Sequence, residues 1–501
     1  MGLYYRIFGI TSNHSFWADE AFISSVSRDI VTEKTSLIKG ASILRYQYLQ
    51  IVITAFSFSL FGISEFSARL PMVLFGVLGI FFAFLVAKKL SNSSGGLLAA
   101  FLMAFSQINL AHATQAKPYV ALQTLLFVQI YLLIKYVNVR RPLTLIMLFF
   151  ITCLAYFFHP LAILFWIPLG ITLIIIYFNN LKILIRKPLF IFGIFSFITL
   201  TMSLFGIFNE LNNLLKPSNG RVLFVYNNTM YLKNIFLRQY GVYLLPALLS
   251  FLLISKKYCS LFVGLISYVI VLLFMWNFRS YSHNMRYLMT FFGLIFVFFG
   301  VFWGKLSEKI SERLSADSRV ASLPRMTVRT LLAMCSKTLP LIILAVVYIS
   351  GYKIVQTPQV YYSPNLDLYG DVQNADYKTM YSWIEKKYGK DLDKIVILND
   401  LIDSERFYLK HSSNAYFMKG INKPTIHPIN KTKMYGTLGD FLNQKTQYKK
   451  GILIIEDWES FLPEDIKQYA KQNMRFEYRV EKMSVGGERD IWPLEVRSWG
   501  F

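Results

Sequence analysis

Between Leu70 and Ala87 the chain reads LPMVLFGVLGIFFAFLVA, with no charge in the run. About 20 apolar residues in a helix cross the roughly 30 Å hydrocarbon core of a bilayer, and a spanning segment must satisfy its own backbone. Such runs recur, at 66–90, 95–111, 118–137, 142–157, 160–179, 188–208, 241–255, 258–276, 287–304 and 338–355. The composition agrees: 54% of the residues are hydrophobic and 16% charged, against about 25% charged in a soluble chain. Mean hydropathy is +0.43. The predicted fold class is an α-helical polytopic membrane protein of about ten to eleven transmembrane helices, with a C-terminal extracytoplasmic α/β domain.

The formal net charge of +23 would point to nucleic acid in a soluble chain. Here Lys and Arg collect in alternate loops. Lys88 and Lys89 follow the first span, Lys135, Arg140 and Arg141 the third, Lys182, Arg186 and Lys187 the fifth, and Lys256 and Lys257 the seventh. The segment 305–337 after the ninth is also basic. By the positive-inside rule these loops are cytoplasmic, and no nucleic-acid partner is implied. The first 65 residues, 112–117, 209–240, 277–286 and everything after 355 then face outward. The three cysteines, Cys153, Cys259 and Cys335, lie in spans or at span ends and imply no disulfide framework.

An outward-facing N-terminal loop needs a span before it, and only MGLYYRIFGITS is available. Ten helical residues cover about 15 Å, half of the core, so either the true start lies upstream or this remnant inserts partway, and the expectation is a truncated or misassigned start. The apolar segment 41–62 would invert the charge pattern if it crossed the membrane, and is read as a helix along the outer surface. After about residue 356 charges become frequent. DKIVILND (393–400) and GILIIEDW (451–458) read as buried strands ending in acids, and NADYKTMYSWIEKKYG (374–389) has helical spacing. The expected parts are residues 1–65, the first outer loop with its acidic pair and surface helix; 66–355, the transmembrane domain; and 356–501, a soluble α/β domain outside the membrane.

None of the predicted spans contains Asp or Glu, which argues against an ion-coupled transporter, since intramembrane carboxylates are kept where coupling needs them. No inverted repeat or broken helix is evident. The ionisable residues gather instead on the outer side: Asp19, Glu20, Arg28, Arg45, Glu65, Arg69, His112, Lys117, Arg279, His283 and Arg286. Cations there suit an anionic group such as phosphate. A carboxylate there suits a proton acceptor, if the site desolvates it and holds it within hydrogen-bond reach of a hydroxyl.

Four stretches carry a family resemblance. FWADEAF (16–22) resembles the Asp-Glu motif of a first outer loop, and LFGISEFSARLPMVLFG (60–76) a typical entry to a second span. SQINLAHATQAKPYVALQTLLF (106–127) resembles a span end followed by Arg-Pro-Tyr, and MRYLMTFFGLIF (285–296) an Arg-Tyr-Leu span start. In this order they resemble the GT-C superfamily of polyprenyl-phosphate-sugar-dependent glycosyltransferases, and within it the protein O-mannosyltransferase and aminoarabinose transferase group (glycosyltransferase family 39-like). The resemblance runs from about 15 to 305 and is architectural beyond that.

The resemblance implies a polyprenyl-phosphate-linked sugar donor, an acceptor hydroxyl on a protein, lipid or glycan, and inverting transfer at the outer face of the membrane. It makes Asp19 the catalytic carboxylate, with Glu20 beside it supporting the loop or pairing with a cation. Trp17 would pack at the interface. Arg45, Lys117, Arg279, His283 and Arg286 would bind the donor phosphate, and Tyr119 and His159 would support them. Lys117 stands where the family has Arg, which keeps the charge and loses the planar fork. Arg69 is read as structural, paired with Glu65 one turn earlier. No cofactor is firmly implied. A divalent metal is unsupported, because 106–127 holds no second acid. The strand-end acids Asp400, Asp403, Glu456 and Asp457 read as cap and surface residues. Against each assignment stands a plainer one: solvated loop acids for Asp19 and Glu20, a snorkelling side chain for Arg45, headgroup anchoring for Arg286. At the level of the whole chain the alternatives are a glycolipid transporter or flippase, and an outer-face oligosaccharide ligase or polymerase.

Overall fold

The computed structural model describes residues 1–11, 15–16, 18–43, 47–184, 237–278, 285–316, 328–358, 375–399, 404–411, 413–427, 431–457, 461–481 and 493–501. They form two units. One comprises Met1–Arg6, Met72–Ala113 and Pro118–Pro358, the other Ile7–Pro71, Thr114–Lys117 and Gln359–Phe501. Ile7–Pro71 thus shares a unit with the C-terminal segment.

The first unit is helical. Among the described residues five helices are long and apolar enough to cross a membrane: Glu65–Leu90, Tyr119–Val139, Pro160–Phe178, Lys256–Trp276 and Arg286–Arg313. Ser93–Phe105, Pro142–Phe158, Gly241–Ser250 and Thr338–Ser350 are apolar but shorter. The expected span 188–208 lies outside the described residues. Helices Ser93–Phe105 and Met289–Ala316 pack through glycine. A Cβ on Gly300 would stand 2.4 Å from the Gly95 carbonyl oxygen, and one on Gly95 2.6 Å from that of Gly300. Small residues permit such an approach, and van der Waals contact then holds helices together where water provides no drive.

The expected span 95–111 is not one helix. It stops at Phe105, Ser106 is extended, and a short helix Gln107–Ala113 follows. The carbonyls released by the break find other donors. Arg6, fully buried, donates to Met103 O at 2.8 Å and Ala104 O at 3.1 Å, and Phe105 O accepts from Val355 N at 2.8 Å. A helix can break among apolar neighbours when its freed backbone groups are satisfied in this way.

The second unit contains a seven-stranded sheet of order β3-β4-β2-β1-β5-β7-β6. Its strands are β1 Val396–Asn399, β2 Ala415–Phe417, β3 Thr425–Ile426, β4 Lys433–Tyr435, β5 Gly451–Glu456, β6 Arg475–Val480 and β7 Leu494–Trp499. β4, β2, β1 and β5 run parallel; β3, β7 and β6 pair antiparallel to their neighbours. Successive residues of β1 and β5 serve opposite faces. Ile397, Ile452 and Ile454 pack with helix Tyr377–Tyr388, and Val396, Leu398, Leu453 and Ile455 with Phe441, Ile466 and Ala470. Burial on both faces explains the unbroken apolar runs VIL and ILII, as in parallel sheets generally.

The same unit contains helices Ala18–Val31, Leu37–Ile43 and Tyr48–Phe61. Most of the segment read as a surface helix, 41–62, is helix Tyr48–Phe61, which ends at Gly62, whose φ of +77° suits glycine. Phe22, Ile23 and Val26 on helix Ala18–Val31 bury against Ala41 and Ile51, and Ser27 Oγ donates to Ile51 O at 3.1 Å.

Candidate functional site

Asp19 and Glu20 occupy the first turn of helix Ala18–Val31, where unpaired backbone N–H groups favour negative charge. Their surroundings differ sharply. Glu20 is fully buried. Its Oε1 accepts from Arg69 Nε at 3.2 Å and from the backbone N–H of Ala116 at 2.7 Å. Arg69, equally buried, also donates to Ile10 O at 3.0 Å and lies over the Phe16 ring, 5.0 Å from its centroid. A buried charge is tolerable only when paired and hydrogen-bonded in this manner.

The expected Arg69–Glu65 pair is replaced by this one. Glu65 takes Lys378 Nζ at 3.0 Å and the Tyr408 hydroxyl. The helix carrying Arg69 is set by a reciprocal cap: Ser67 N donates to Ser64 Oγ at 3.2 Å and Ser64 N to Ser67 Oγ at 3.1 Å. Sequence spacing could not reveal that Arg69 meets Glu20 across 49 residues.

The Asp19 side chain is 49% exposed and stands 3.9 Å from Lys117 Nζ, whose side chain is 3% exposed. Glu20 creates this proximity, because the amide that grips it belongs to Ala116, the residue before Lys117. With one partner half in water, the pair contributes roughly 1 kcal/mol or less. The carboxylate is a group that can accept a proton, and the ammonium one that can bind an anion. Among the described residues no three His, Cys, Asp or Glu side chains converge as metal ligands would.

Three of the expected site residues meet in the other unit. The Arg286 guanidinium carbon lies 5.8 Å from the Tyr119 ring centroid and 5.3 Å from that of Tyr287. Tyr119 contacts His159 at 5.3 Å and Tyr287 at 5.7 Å between centroids. Cation–π contact orients a guanidinium without using its N–H donors and is worth about 0.5–2 kcal/mol. His159 caps the 3₁₀ turn Pro160–Phe165: its Nδ1 accepts from Leu161 N at 3.1 Å, which places the ring proton on Nε2. Trp17, Arg45, Arg279 and His283 lie outside the described residues, as do Asp400 and Asp403. Glu456 accepts from the Tyr377 hydroxyl at 2.7 Å, and Asp457 from Lys471 at 2.6 Å and Arg479 at 2.7 Å, so both act within the sheet domain.

With five helices long and apolar enough to cross a membrane and a mixed α/β sheet, the chain is a multi-pass membrane protein with a GT-C fold. It is similar to the crystal structure of ArnT from Cupriavidus metallidurans in the apo state, with a TM-score of 0.57 at 12% identity, covering 99% of this chain and 96% of that one. The structure of the same protein bound to undecaprenyl phosphate aligns with a TM-score of 0.50, again at 12% identity and with coverages of 99% and 96%. The apo oligosaccharyltransferase of Archaeoglobus fulgidus aligns with a TM-score of 0.54 at 10% identity, covering 91% of this chain and 68% of that one. The profile of the dolichyl-phosphate-mannose-protein mannosyltransferase family matches residues 49–205. No curated protein shows significant sequence similarity.

Proposed function

We propose that the chain is a membrane glycosyltransferase that moves a sugar from a polyprenyl-phosphate-linked donor to an acceptor hydroxyl at the outer face of the membrane, with inversion. The observation that carries this reading is the half-exposed Asp19 carboxylate beside the buried Lys117 ammonium. One group can accept a proton and the other can bind an anion. The fold supports it, as does the capture of undecaprenyl phosphate by a structural neighbour.

In this reading the acceptor oxygen attacks the anomeric carbon as the bond from that carbon to the phosphate oxygen breaks. The bonding pair leaves with polyprenyl phosphate, and the hydroxyl proton passes to Asp19. Lys117 holds the donor phosphate and stabilises the charge that grows on it as it leaves. Arg286, oriented by Tyr119 and Tyr287, is a second cation suited to a phosphate. Glu20 takes no proton; it anchors the turn. The acceptor class, whether protein, lipid or glycan, stays open to experiment.

The test uses membranes holding wild type or Asp19→Asn at equal protein level, supplied with polyprenyl-phosphate sugars labelled in the sugar. Wild type should move label out of the lipid fraction as single-sugar products, and the variant should lose at least about 100-fold of that rate. Equal release by both removes Asp19 from the chemistry. Lipid translocation without release makes the chain a transporter, and products carrying a whole sugar chain make it an oligosaccharide ligase.

A further inference from the structure

The segment that carries Asp19 is gripped on both sides by the C-terminal part of its own unit. Before it, Ser15 Oγ accepts from Lys378 N at 2.9 Å and donates to Asp376 Oδ1 at 3.2 Å. The backbone N–H of Phe16 donates to the Tyr408 hydroxyl at 2.7 Å. The Phe16 ring packs edge-on against Phe407, 4.8 Å between centroids, and under the Arg69 guanidinium that holds Glu20. After it, Asp29 takes Arg28 at 2.8 Å on one oxygen and Arg406 on the other, while Arg28 Nη1 donates to Arg406 O at 2.7 Å. Arg406, Phe407 and Tyr408 all belong to the short helix Ser404–Tyr408.

Tyr408 is the centre of this grip. Its hydroxyl accepts from Phe16 and donates to Glu65. Burial first, and then the Glu65 carboxylate, hold the phenol well above the usual tyrosine range, so it stays a donor throughout the physiological range.

We propose that Tyr408 is a positioning residue for sugar transfer: its hydroxyl fixes the Phe16 backbone and, through Phe16 and Arg69, the Glu20 anchor that sets Asp19 beside Lys117. The proposal rests on the transfer reading above and gives the α/β domain a part in assembling the site. Misplacing a catalytic group by about 1 Å can cost up to 100-fold in rate. Losing one hydroxyl from a grip with several contacts should cost less.

The experiment compares full-length Tyr408→Phe with Tyr469→Phe in detergent micelles. The Tyr469 hydroxyl, on the separate helix Glu464–Asn473 of the same domain, accepts from Lys445 at 2.9 Å. Two quantities are read: kcat and donor KM for labelled polyprenyl-phosphate sugar, and hydrogen exchange at the Phe16 amide at single-residue resolution. Tyr408→Phe should lower kcat roughly tenfold with donor KM within about twofold, and should release the Phe16 amide to faster exchange. Tyr469→Phe should change neither. Unchanged exchange in Tyr408→Phe overturns the grip, and faster exchange with unchanged kcat overturns its role in transfer. So does a fall in kcat matched by Tyr469→Phe. If the wild type transfers no sugar, the transfer reading fails on its own, and the positioning role for transfer falls with it, while exchange still decides the grip. Ser15→Ala, which loosens the same turn from its other side, carries the kcat and KM readouts if Tyr408→Phe is not recovered folded.

Discussion

Glu20 and Arg69 form an ion pair at 3.2 Å in which neither side chain reaches solvent. Asp19, the next residue along the helix, is 49% exposed. One acid of the pair is therefore sealed in a buried ion pair and the other half in water, and the two should respond differently to amide substitution.

Glu20→Gln and Arg69→Met each leave a buried partner unmatched, which typically costs about 3–5 kcal/mol. Both should lower the thermal unfolding temperature of the detergent-solubilised protein, and the double variant should recover part of the loss. Asp19→Asn should unfold within a degree or two of wild type, because half-exposed pairs contribute roughly 1 kcal/mol or less. A large drop in stability for Asp19→Asn would contradict this division of labour.

Lys117→Ala should raise donor KM roughly tenfold, the loss of one charge-assisted contact. Lys117→Arg should recover only part of the affinity, because the side chain is 3% exposed and a wider guanidinium has little space there. Titrating transfer rate against donor concentration separates the two variants.

Gly300→Val should abolish recovery of monodisperse protein. A Cβ at this position would sit 2.4 Å from the Gly95 carbonyl oxygen and 3.0 Å from the Ala99 backbone nitrogen, and backbone cannot yield as a side chain tip can. Gly170→Ala, where a Cβ meets nothing within 4 Å, should behave as wild type in the same size-exclusion measurement.

The α/β domain should lose stability in acid. Burial alone would raise the Asp457 carboxyl, but hydrogen bonds and charge from Lys471 and Arg479 outweigh it and hold it below the usual range. Lys387 and Ser498 do the same for Glu477. A carboxyl depressed in the folded state adds stability above its unfolded pKa, near 4, and loses it as pH falls through the folded value. Asp457→Asn should therefore cost about 1 kcal/mol at neutral pH. The gap to wild type should close as pH falls below the unfolded value and through the lower folded one, which unfolding curves of the full chain across this range would reveal.

The elements that depend on local composition were legible before any fold was known. Apolar runs marked the membrane helices Glu65–Leu90 and Tyr119–Val139. The patterns at 393–400, 451–458 and 374–389 marked β1, β5 and helix Tyr377–Tyr388. Burial free energy accumulates residue by residue along a stretch, so periodicity and run length carry that information without the fold. The acidic pair and the cations Lys117 and Arg286 were legible as residue types suited to a phosphate and a proton. Long-range packing set the partner that each charge took: Arg69 meets Glu20 rather than the nearby Glu65, and Tyr408 reaches Phe16 across 392 residues. It also decided that the run 95–111 breaks at Ser106, where Arg6 and Val355 are at hand to satisfy the released carbonyls. The physical reason is common to all three. An ion pair or a hydrogen bond depends on angstrom-scale proximity between a few atoms, and that proximity is set by how distant segments pack.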